Sequence, residues 1–386
     1  MPRKSTISRI VFLILPWSGV SSNRLVILIA RLFWIVTIAF IGFFHYLYFS
    51  THLNSENFFN LVDCFSSFLA HVNVFTKLVA FWINQRKFEE TLVLITDDWN
   101  DCAKNNVGMR VMTDREKISA RITNTLVVLN TMAIFAYCLG VIIADADVND
   151  KTIELPFVNK LEFPFSINTQ RMYRFVLIAE FMHLILCNGV AAAYNAVLLS
   201  LVFHVGGQID ILQCWLAELT PNEMENKQES SIIAGNKIIL KHQKIIQFSE
   251  NIERLYTHIA LILFASNTML ICSLGFLIVT AVGSADATEK IIKCLLFFTI
   301  TNLEAFVFCY AGEYLNNKST GIGFATYNCA WYNFKSKDSR VLLLIILRSQ
   351  RQLTLTAGKM MDLTLQSFAS IMNASGSYLS VLLAMQ

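Results

Sequence analysis

The sequence predicts an all-α polytopic membrane protein with seven transmembrane helices, a cytosolic N-terminus, an extracellular C-terminus and a cytosolic helical anchor. Three observations predict this fold: the composition, the long apolar windows, and the distribution of lysine and arginine between them. Of 386 residues, 55% are hydrophobic and 15% are charged, and the mean hydropathy is +0.51. A soluble globular chain carries about 25% charged residues. So few charges cannot cover a water-facing surface, and the surplus apolar surface requires lipid.

Seven windows are apolar and long enough to cross the hydrocarbon core, which takes about 20 residues of helix. The windows are residues 25–49, 58–83, 122–144, 173–203, 255–282, 291–312 and 363–385. Each must be helical, because lipid offers no hydrogen-bonding partner to backbone amides and carbonyls. Residues 341–347 are apolar but too few to span, and they predict a helix buried in protein. Residues 204–254 are polar with helical periodicity, and they predict cytosolic extensions of the fourth and fifth spans.

Lysine and arginine concentrate in every second loop. With the N-terminus in the cytosol, the outer loops hold Lys151, Lys160, Arg171 and Lys290, and most of the remaining basic loop residues fall on the cytosolic side. The positive-inside rule therefore places the N-terminus in the cytosol. After seven crossings the C-terminus lies outside.

The sequence contains no signature of a nucleic-acid-binding protein, a metalloprotein or an enzyme. The net charge of +3 is weak, and no basic stripe is interleaved with aromatic residues, so no nucleic acid partner is predicted. The nine cysteines have no C-x-x-C spacing, and six lie in apolar runs, where cysteine behaves as a small hydrophobe. No GxxxxGK(S/T), HExxH or GxSxG motif occurs. We therefore predict no catalytic residue, no metal site and no cofactor.

Two other classes of polytopic protein stay open as alternatives. A G-protein-coupled receptor has its N-terminus outside and carries proline kinks in its helices, whereas here all five prolines lie outside the windows. The run Asp114-Arg115-Glu116 resembles an acidic–arginine motif of that class, but it precedes the third span. A transporter typically has broken helices or paired halves, and no Gly/Pro-interrupted pair of windows is present. A metabotropic receptor coupled to a G protein is thus the first alternative, and a transporter is the weaker one.

The last window carries a polar pattern that points to a function. Projected as a helix, it presents one stripe of polar and small side chains at steps of four and three residues. The stripe consists of Gln366, Ser370, Asn373, Ser377, Ser380 and Ala384. Such residues can join helices by packing and hydrogen bonds. A stripe along the whole span favours instead a water-filled pore that this helix lines.

One helix cannot enclose a pore, so the pore requires several copies of the helix around an axis. Val381 borders the stripe near its outer end, and a ring of such side chains forms a hydrophobic gate that closes by dewetting. The span contains no acid or base, and Asp362 lies at its inner boundary. We therefore expect weak discrimination among permeating cations.

A set of short motifs fills the last third of the chain. They are Phe308-Cys309-Tyr310-Ala311-Gly312-Glu313, Ala325-Thr326-Tyr327, Trp331-Tyr332, Arg340, Arg348-Ser349-Gln350, Thr356-Ala357-Gly358, Phe368 and Ser377-Tyr378. These motifs resemble those of the insect odorant receptor family, densely over residues 300–386 and in topology and length before that. The related gustatory receptors end in a Thr-Tyr…Gln-Phe pattern, whereas this chain has Ser377-Tyr378 and Ala384-Met385. The odorant branch is therefore favoured.

The resemblance implies a tetrameric odorant-gated cation channel, whose pore is lined by the last helix and whose subunits meet in a cytosolic anchor. The anchor includes Tyr327, Trp331 and Arg348, and Val381 falls at the hydrophobic gate. Ala384 stands where the co-receptor subunit has glutamine, and the long insertion that marks the co-receptor between the fourth and fifth spans is missing. We therefore expect an odorant-binding subunit that forms a heterotetramer with the co-receptor in the plasma membrane of sensory neuron dendrites.

This interpretation divides the chain into four parts. They are a cytosolic N-terminus (1–24), helices one to six with cytosolic extensions around 204–254 (25–312), a cytosolic anchor with a short helix (313–362) and the pore-lining seventh helix (363–386).

The resemblance also places a pocket for a small volatile in the outer half of the second, third, fourth and sixth spans. The candidate positions are Phe68, His71, Phe75, Tyr137, Gly140, Phe175, Met182, His183, Phe297 and Thr301. Together they form a mostly apolar and aromatic site with few polar groups, as small-molecule pockets generally are. Aromatic residues in spans also serve as packing and interface anchors.

Several charged residues fall inside the windows. Arg31, Asp63 and Lys77 lie toward the ends of their spans, where we expect the side chains to snorkel to the interface. Glu180 and Glu304 lie deeper and should face protein or water.

Overall fold

Helices account for nearly all of the chain in the computed structural model, which describes residues 6–21, 23–53, 58–143, 157–219, 228–282, 287–329, 331–334 and 336–384. The helices within these ranges are α1 (Arg9–Ile14), α2 (Arg24–His52), α3 (Phe58–Ile83), α4 (Gln85–Cys102), α5 (Asn106–Ile143), α6 (Gln170–Ala217), α7 (Gln228–Ala281), α8 (Ala287–Asn328), α9 (Ser336–Ser349) and α10 (Leu365–Ala384). A two-stranded antiparallel ribbon, β1 (Thr356–Ala357) and β2 (Met361–Asp362), precedes α10.

The predicted class of fold, a helical membrane protein with many spans, is confirmed. Six helices, α2, α3 and α5 to α8, are long and apolar enough to cross a membrane. The 20 residues of α10 match the length of a crossing, but the serines and asparagine of its stripe lower its hydropathy. Helices α6 and α7 have 48 and 54 residues, so the predicted extensions of the fourth and fifth spans are continuous with the spans themselves.

Helix α6 lies at the centre of the bundle, packed against α5, α7 and α8. Between Val190 and Leu212 nearly every side chain of α6 is buried. A helix that is apolar all round belongs inside a protein, and small residues let its neighbours approach. At Gly206 an added Cβ would overlap the ring of Tyr314 on α8. Helix α6 is therefore the element around which α3, α5, α7 and α8 are arranged.

A buried polar network joins α4, α6 and α7 at the predicted cytosolic end. Asp98 on α4 accepts hydrogen bonds from His204 Nε2 at 3.2 Å and from Lys241 Nζ at 3.4 Å, and Lys241 also contacts Gln208. Burial acts to raise the pKa of the Asp98 carboxyl, but the hydrogen bond from His204 and the charges of Lys241 and Lys244 hold that pKa below its usual value. Asp98 is therefore a buried carboxylate with cationic partners, the arrangement that makes a buried charge tolerable.

The short helix α9 is amphipathic within one chain. Leu342 and Ile345 are buried, whereas Leu343, Leu344 and Leu347 are more than half exposed. One face is therefore buried in the chain itself, and burial of the other face in a subunit anchor stays a prediction. The apolar run of residues 341–347 predicts a helix, but a run of this length does not show which faces of the helix pack against the rest of the chain.

The ribbon before α10 is fixed to both α7 and α8. The Thr356 amide donates to Glu253 Oε2 at 2.8 Å, and the Gly358 amide donates to the Thr257 carbonyl at 2.9 Å. Gly358 has φ +61°, which favours glycine. On the other side, Gly312 of α8 lies so close to Leu363 that an added Cβ would overlap its carbonyl oxygen. The entry to α10 is thus held against α8 by a contact that permits no side chain.

We predict that Gly312→Ala destabilises the chain by about 1–3 kcal/mol, because the new methyl group meets a backbone atom that cannot rotate away. Gly189→Ala on α6 is the matched control, since nothing lies within 4 Å of its added Cβ. Glycine in a helix costs roughly 0.5–1 kcal/mol relative to alanine, so the control should be neutral or stabilising. Thermal unfolding in detergent measures both variants, and equal stability of the two would contradict the close contact.

Candidate functional site

A cavity of about 120 Å³ lies among α3, α5, α6, α7 and α8. Its apolar lining includes Val74, Ile134, Leu184, Ala191, Leu270, Phe297 and Ile300. Its polar lining includes Ser67, His71, Asn73, Lys77, Tyr137, Asn159, Asn188, Thr301 and Glu304. Polar residues are numerous in the lining, but most of the surface that faces the cavity is apolar, which is the usual character of a small-molecule site. The cavity is therefore the candidate binding site of the described chain.

Four of the ten positions named from the sequence line this cavity: His71, Tyr137, Phe297 and Thr301. The rings of Tyr137 and Phe297 meet edge to face, with centroids 6.3 Å apart. The Thr301 hydroxyl donates to the Phe297 carbonyl at 2.9 Å, which fixes its rotamer. Lys293 Nζ lies 5.2 Å from the centroid of the Tyr137 ring. Helices α5 and α8 thus supply one wall on which an aromatic pair and two hydroxyl groups converge.

The other positions lie elsewhere. His183 stacks on His71 behind the cavity wall, and Phe68 meets the ring of His45 edge-on at 6.0 Å. The surroundings of Gly140 lie outside what the structure describes. The remaining three positions, Phe75, Phe175 and Met182, are exposed on the outside of the single chain.

Helical geometry explains why Phe68 and Phe75 do not line the cavity. They are seven residues apart, nearly two turns, and so share a direction. Most positions of α3 that line the cavity, among them Ser67, Val74 and Lys77, point about 90° or more away from that direction, and His71 lies between the two at about 50°. Spacing along α3 groups residues on a face, but it does not identify the face that meets the other helices.

A buried ion pair that the sequence did not predict forms part of the cavity lining. Lys77 on α3 contacts Glu304 on α8, and Lys77 Nζ also donates to Asn195 Oδ1 at 3.2 Å. Asn195 on α6 in turn donates from Nδ2 to Glu304 Oε1 at 3.1 Å. The prediction that Lys77 snorkels is wrong, because its side chain is 2% exposed and directed into the bundle. The expectation that Glu304 faces protein or water agrees with this arrangement, and the presence of both charges inside spans was the signal for pairing.

The described part of the chain has one group with the geometry of a metal site. One ligand atom from each of His71, His183 and Cys187 lies within 4.8 Å of the other two. A C-x-x-C pattern cannot reveal this group of ligands, because they come from two helices. The i,i+4 spacing of His183 and Cys187 on α6 was the available signal.

The polar stripe of α10 is exposed in the single chain. Gln366, Ser370, Asn373, Ser377 and Ser380 all face outward. Three of the serine hydroxyls donate to carbonyls of their own helix at 2.7–3.1 Å. Within the described residues, the amide side chains of Gln366 and Asn373 have no hydrogen-bonding partner.

The opposite side of α10 packs against the bundle. Leu379 contacts Gly275 on α7, and the ring of Phe368 lies 5.9 Å from that of Phe306 on α8. The side chains of Val381 and Ala384 lie outside the described residues. The last helix therefore has one packed face and one polar face without a partner in the same chain.

A second exposed surface surrounds the end of α8 and the start of α9. The Tyr327 and Trp331 rings have centroids 6.4 Å apart and are 62% and 36% exposed. Leu343, Leu344 and Leu347 of α9 are exposed near the same end of the chain. Arg348, the third predicted anchor residue, donates from Nη1 to the Arg351 carbonyl at 3.0 Å. Several exposed apolar side chains in one region of a chain are typical of an interaction surface.

Residues 57–376 of the chain match a family model described as 7tm Odorant receptor. Odorant receptor 13a of Drosophila melanogaster is 26% identical over 341 residues, covering 83% of this chain and 78% of the relative. Odorant receptor Or2 of Anopheles gambiae is 35% identical over 153 residues, which is 39% of each chain. Odorant receptor 10 of Aedes albopictus is 30% identical over 175 residues, or 45% of this chain and 46% of the relative. The last two alignments thus span less than half of those relatives.

The fold is shared with solved structures. The olfactory receptor OR5 of Machilis hrabei has a TM-score of 0.75 at 17% identity, with 97% of each chain covered. Its complex with eugenol has a TM-score of 0.73 at 16% identity, again with 97% of each chain covered. At such low identity the likeness concerns the fold alone.

We predict that Lys77→Met destabilises the chain by about 3–5 kcal/mol, because Glu304 then remains buried without its cation. The double variant Lys77→Met/Glu304→Leu should recover much of that loss, since no buried charge is left unpaired. Lys117→Met is the matched control. It removes an exposed lysine that lies 3.6 Å from Asp114, and exposed pairs contribute about 0–1 kcal/mol. Thermal unfolding in detergent measures the stability of each variant. If Lys77→Met were as stable as Lys117→Met, the buried pair would not be stabilising.

Proposed function

Because the chain belongs to the insect odorant receptor family, we propose that it is the odorant-binding subunit of a heteromeric, odorant-gated, non-selective cation channel in the plasma membrane. A small volatile binds in the cavity among α3, α5, α6, α7 and α8. Its binding opens a pore lined by α10 and by the last helices of partner subunits. The odorant co-receptor supplies those partners in a heterotetramer.

The cavity is the observation that carries the proposal. Its apolar wall suits a volatile, which must be small and largely apolar, and a few groups such as Tyr137, Asn188 and Thr301 offer hydrogen bonds that orient it. In the related Machilis hrabei receptor the same fold accommodates a small organic ligand, eugenol. A transporter would need paired or broken helices around its site, whereas α3, α5, α6 and α8 run past the cavity as continuous helices.

The exposed face of α10 supports the pore. Its amides, Gln366 and Asn373, have no partner within the described residues, and an unpaired polar group in hydrocarbon costs several kcal/mol. Water in a central pore satisfies them, and several copies of α10 around an axis exclude the lipid. The 20 residues of α10 include no acid or base, so the pore discriminates weakly among cations. Val381 remains the proposed gate.

The exposed surface around Tyr327, Trp331 and α9 supports subunit assembly. It combines aromatic rings with the apolar side chains of Leu343, Leu344 and Leu347, and burying such surface against a neighbour is favourable in water. Helices α6 and α7 end and begin at Ala217 and Gln228, which leaves no room for the long insertion of the co-receptor. This chain is accordingly the subunit that varies with the odorant.

Helix α8 connects the cavity to the pore. It carries Phe297, Thr301 and Glu304 in the cavity wall, and two turns beyond Glu304 it reaches Gly312, which contacts Leu363 at the entry to α10. A volatile that fits the cavity better in one position of α8 than in another shifts the balance between those positions. Gly312 packs directly on the backbone of Leu363. In this proposal, a displacement of α8 therefore shifts the entry to α10.

Whole-cell current tests the proposal, in cells that express this chain with or without an odorant co-receptor while a panel of volatiles is applied. We expect a volatile-evoked, poorly selective cation current that requires both chains. A slow, G-protein-dependent signal would contradict the channel and support the metabotropic alternative. A full current from this chain alone would contradict the heteromer.

In the same cells, Tyr137→Ala should raise the half-maximal concentration of an activating volatile by about tenfold, equivalent to about 1.4 kcal/mol of binding free energy. Phe175→Ala is the matched aromatic control, since its side chain is 72% exposed on the outside of the bundle. If the response of Tyr137→Ala to every active volatile were unshifted, the wall formed by α5 and α8 would not be part of the binding site.

A further inference from the structure

Imidazole and thiol groups are concentrated at one wall of the cavity. Three of the seven histidines of the chain lie in a row there: the rings of His45 and His71 are tilted to each other at 5.5 Å, and the rings of His71 and His183 stack at 5.5 Å. Cys64 Sγ lies 3.3 Å from His45 Nδ1, and Cys187 Sγ lies 3.3 Å from His183 Nε2. Ionisable residues inside spans are rare and mark functional positions. Packing alone does not require such a cluster.

We propose that His71, His183 and Cys187 form a binding site for a transition-metal ion of intermediate softness, with Zn²⁺ as the typical occupant. One ligand atom of each residue lies within 4.8 Å of the other two. Zn–N bonds of about 2.0–2.1 Å and a Zn–S bond of about 2.3 Å place tetrahedral N and S ligands about 3.5 Å apart. The 3.3 Å between His183 Nε2 and Cys187 Sγ is close to that value. Metal binding requires the side chains to rotate until all three ligand atoms lie about 3.5 Å apart.

The ligands are oriented before any metal binds. His71 Nδ1 lies 2.8 Å from the Ser67 carbonyl oxygen, which can only accept, so Nδ1 carries the proton and Nε2 keeps a free lone pair. A ring N–H held by a carbonyl is the usual support of a metal-binding histidine. His183 and Cys187 are one turn apart on α6, so the helix itself holds them side by side. The rings of His71 and His183 are within 11° of parallel, which joins the two helices at this point.

The chemistry of the ligands selects the metal. Imidazole and thiolate bind Zn²⁺ and copper well and bind Mg²⁺ or Ca²⁺ poorly. Cys187 gives up its proton to water on binding, and the metal–thiolate bond replaces the S–H group. Within the described residues, the Cys187 thiol is the sole hydrogen-bonding partner of the His183 ring. A metal therefore displaces no stronger contact there.

Three protein ligands leave the fourth tetrahedral position open. His71 and Cys187 both line the cavity, as does Asn188 beside them. The open position therefore faces the space that the cavity encloses, where water or a ligand with a nitrogen or sulfur donor completes the coordination. The metal site stands whether or not the chain forms a channel, because it rests on the described helices of one subunit.

Titration with Co²⁺ tests the proposal on the purified full chain in detergent, without odorant or co-receptor. Co²⁺ in a site with a thiolate ligand gives a charge-transfer band and tetrahedral d–d bands. We expect both bands to saturate at one equivalent and to disappear on addition of Zn²⁺. Cys187→Ser should abolish the charge-transfer band, and His183→Asn should weaken binding by about tenfold or more.

Two variants serve as matched controls: Cys214→Ser, which alters a partly exposed thiol on the same helix, and His258→Asn, which alters an exposed imidazole on α7. Both should bind Co²⁺ as the unsubstituted chain does. The proposal is overturned if a monodisperse, folded chain gives no charge-transfer band. It is also overturned if the band survives Cys187→Ser or is lost equally in Cys214→Ser. Should His71→Asn fail to fold, the partly buried His183 tests the same site.

Discussion

Hydrocarbon offers no hydrogen bonds, so each polar group in a span must find a partner in the protein or reach water. The interior of this chain meets much of that demand through pairs that join different helices, although a few buried atoms of the described residues, such as Glu180 Oε1 and the side-chain amide of Asn267, have no hydrogen-bonding partner. Lys77, Asn195 and Glu304 connect α3, α6 and α8, and each of the three side chains has a polar contact with the other two. Glu180 on α6 accepts from the Val158 amide at 3.2 Å and so ties a loop to the bundle. The polar lining of the cavity is thus part of what holds the helices together.

The same demand separates two kinds of polar surface. Inside the bundle, Lys77 and Glu304 are paired, and most of the surface of the cavity beside them is apolar. On α10, by contrast, Gln366 and Asn373 face away from the rest of the chain. One subunit therefore leaves a polar face that lipid cannot solvate, and assembly around a water-filled axis resolves the conflict. In the function proposed for the chain, the ligand-binding cavity and the conducting pore lie on different helices, and α8 contacts both.

Periodicity predicted the elements well because each span must form its own backbone hydrogen bonds. The second window matches α3 at both ends, and the stripe of the last window emerged as one exposed face of α10. Periodicity could not decide how faces pair across helices. Phe175 and Met182 share the outer part of α6 with buried Tyr173 and Val176, and only packing decides which of these meet the interior. Lys77 and Glu304 are 227 positions apart in the chain, and His71 and Cys187 are 116 positions apart. Neither cluster therefore follows from local spacing.

The central claim is that the polar face of α10 lies in water while its other face lies in protein. Reaction with a charged, membrane-impermeant thiol reagent measures this directly in cells that express the chain with a co-receptor. Ser370→Cys and Ser377→Cys should be modified and lose odorant-evoked current, relative to the unsubstituted chain with its native cysteines. Phe368→Cys and Leu379→Cys, on the packed face, should keep their current. Equal modification of all four, or of the packed pair alone, would contradict the pore that this helix is proposed to line.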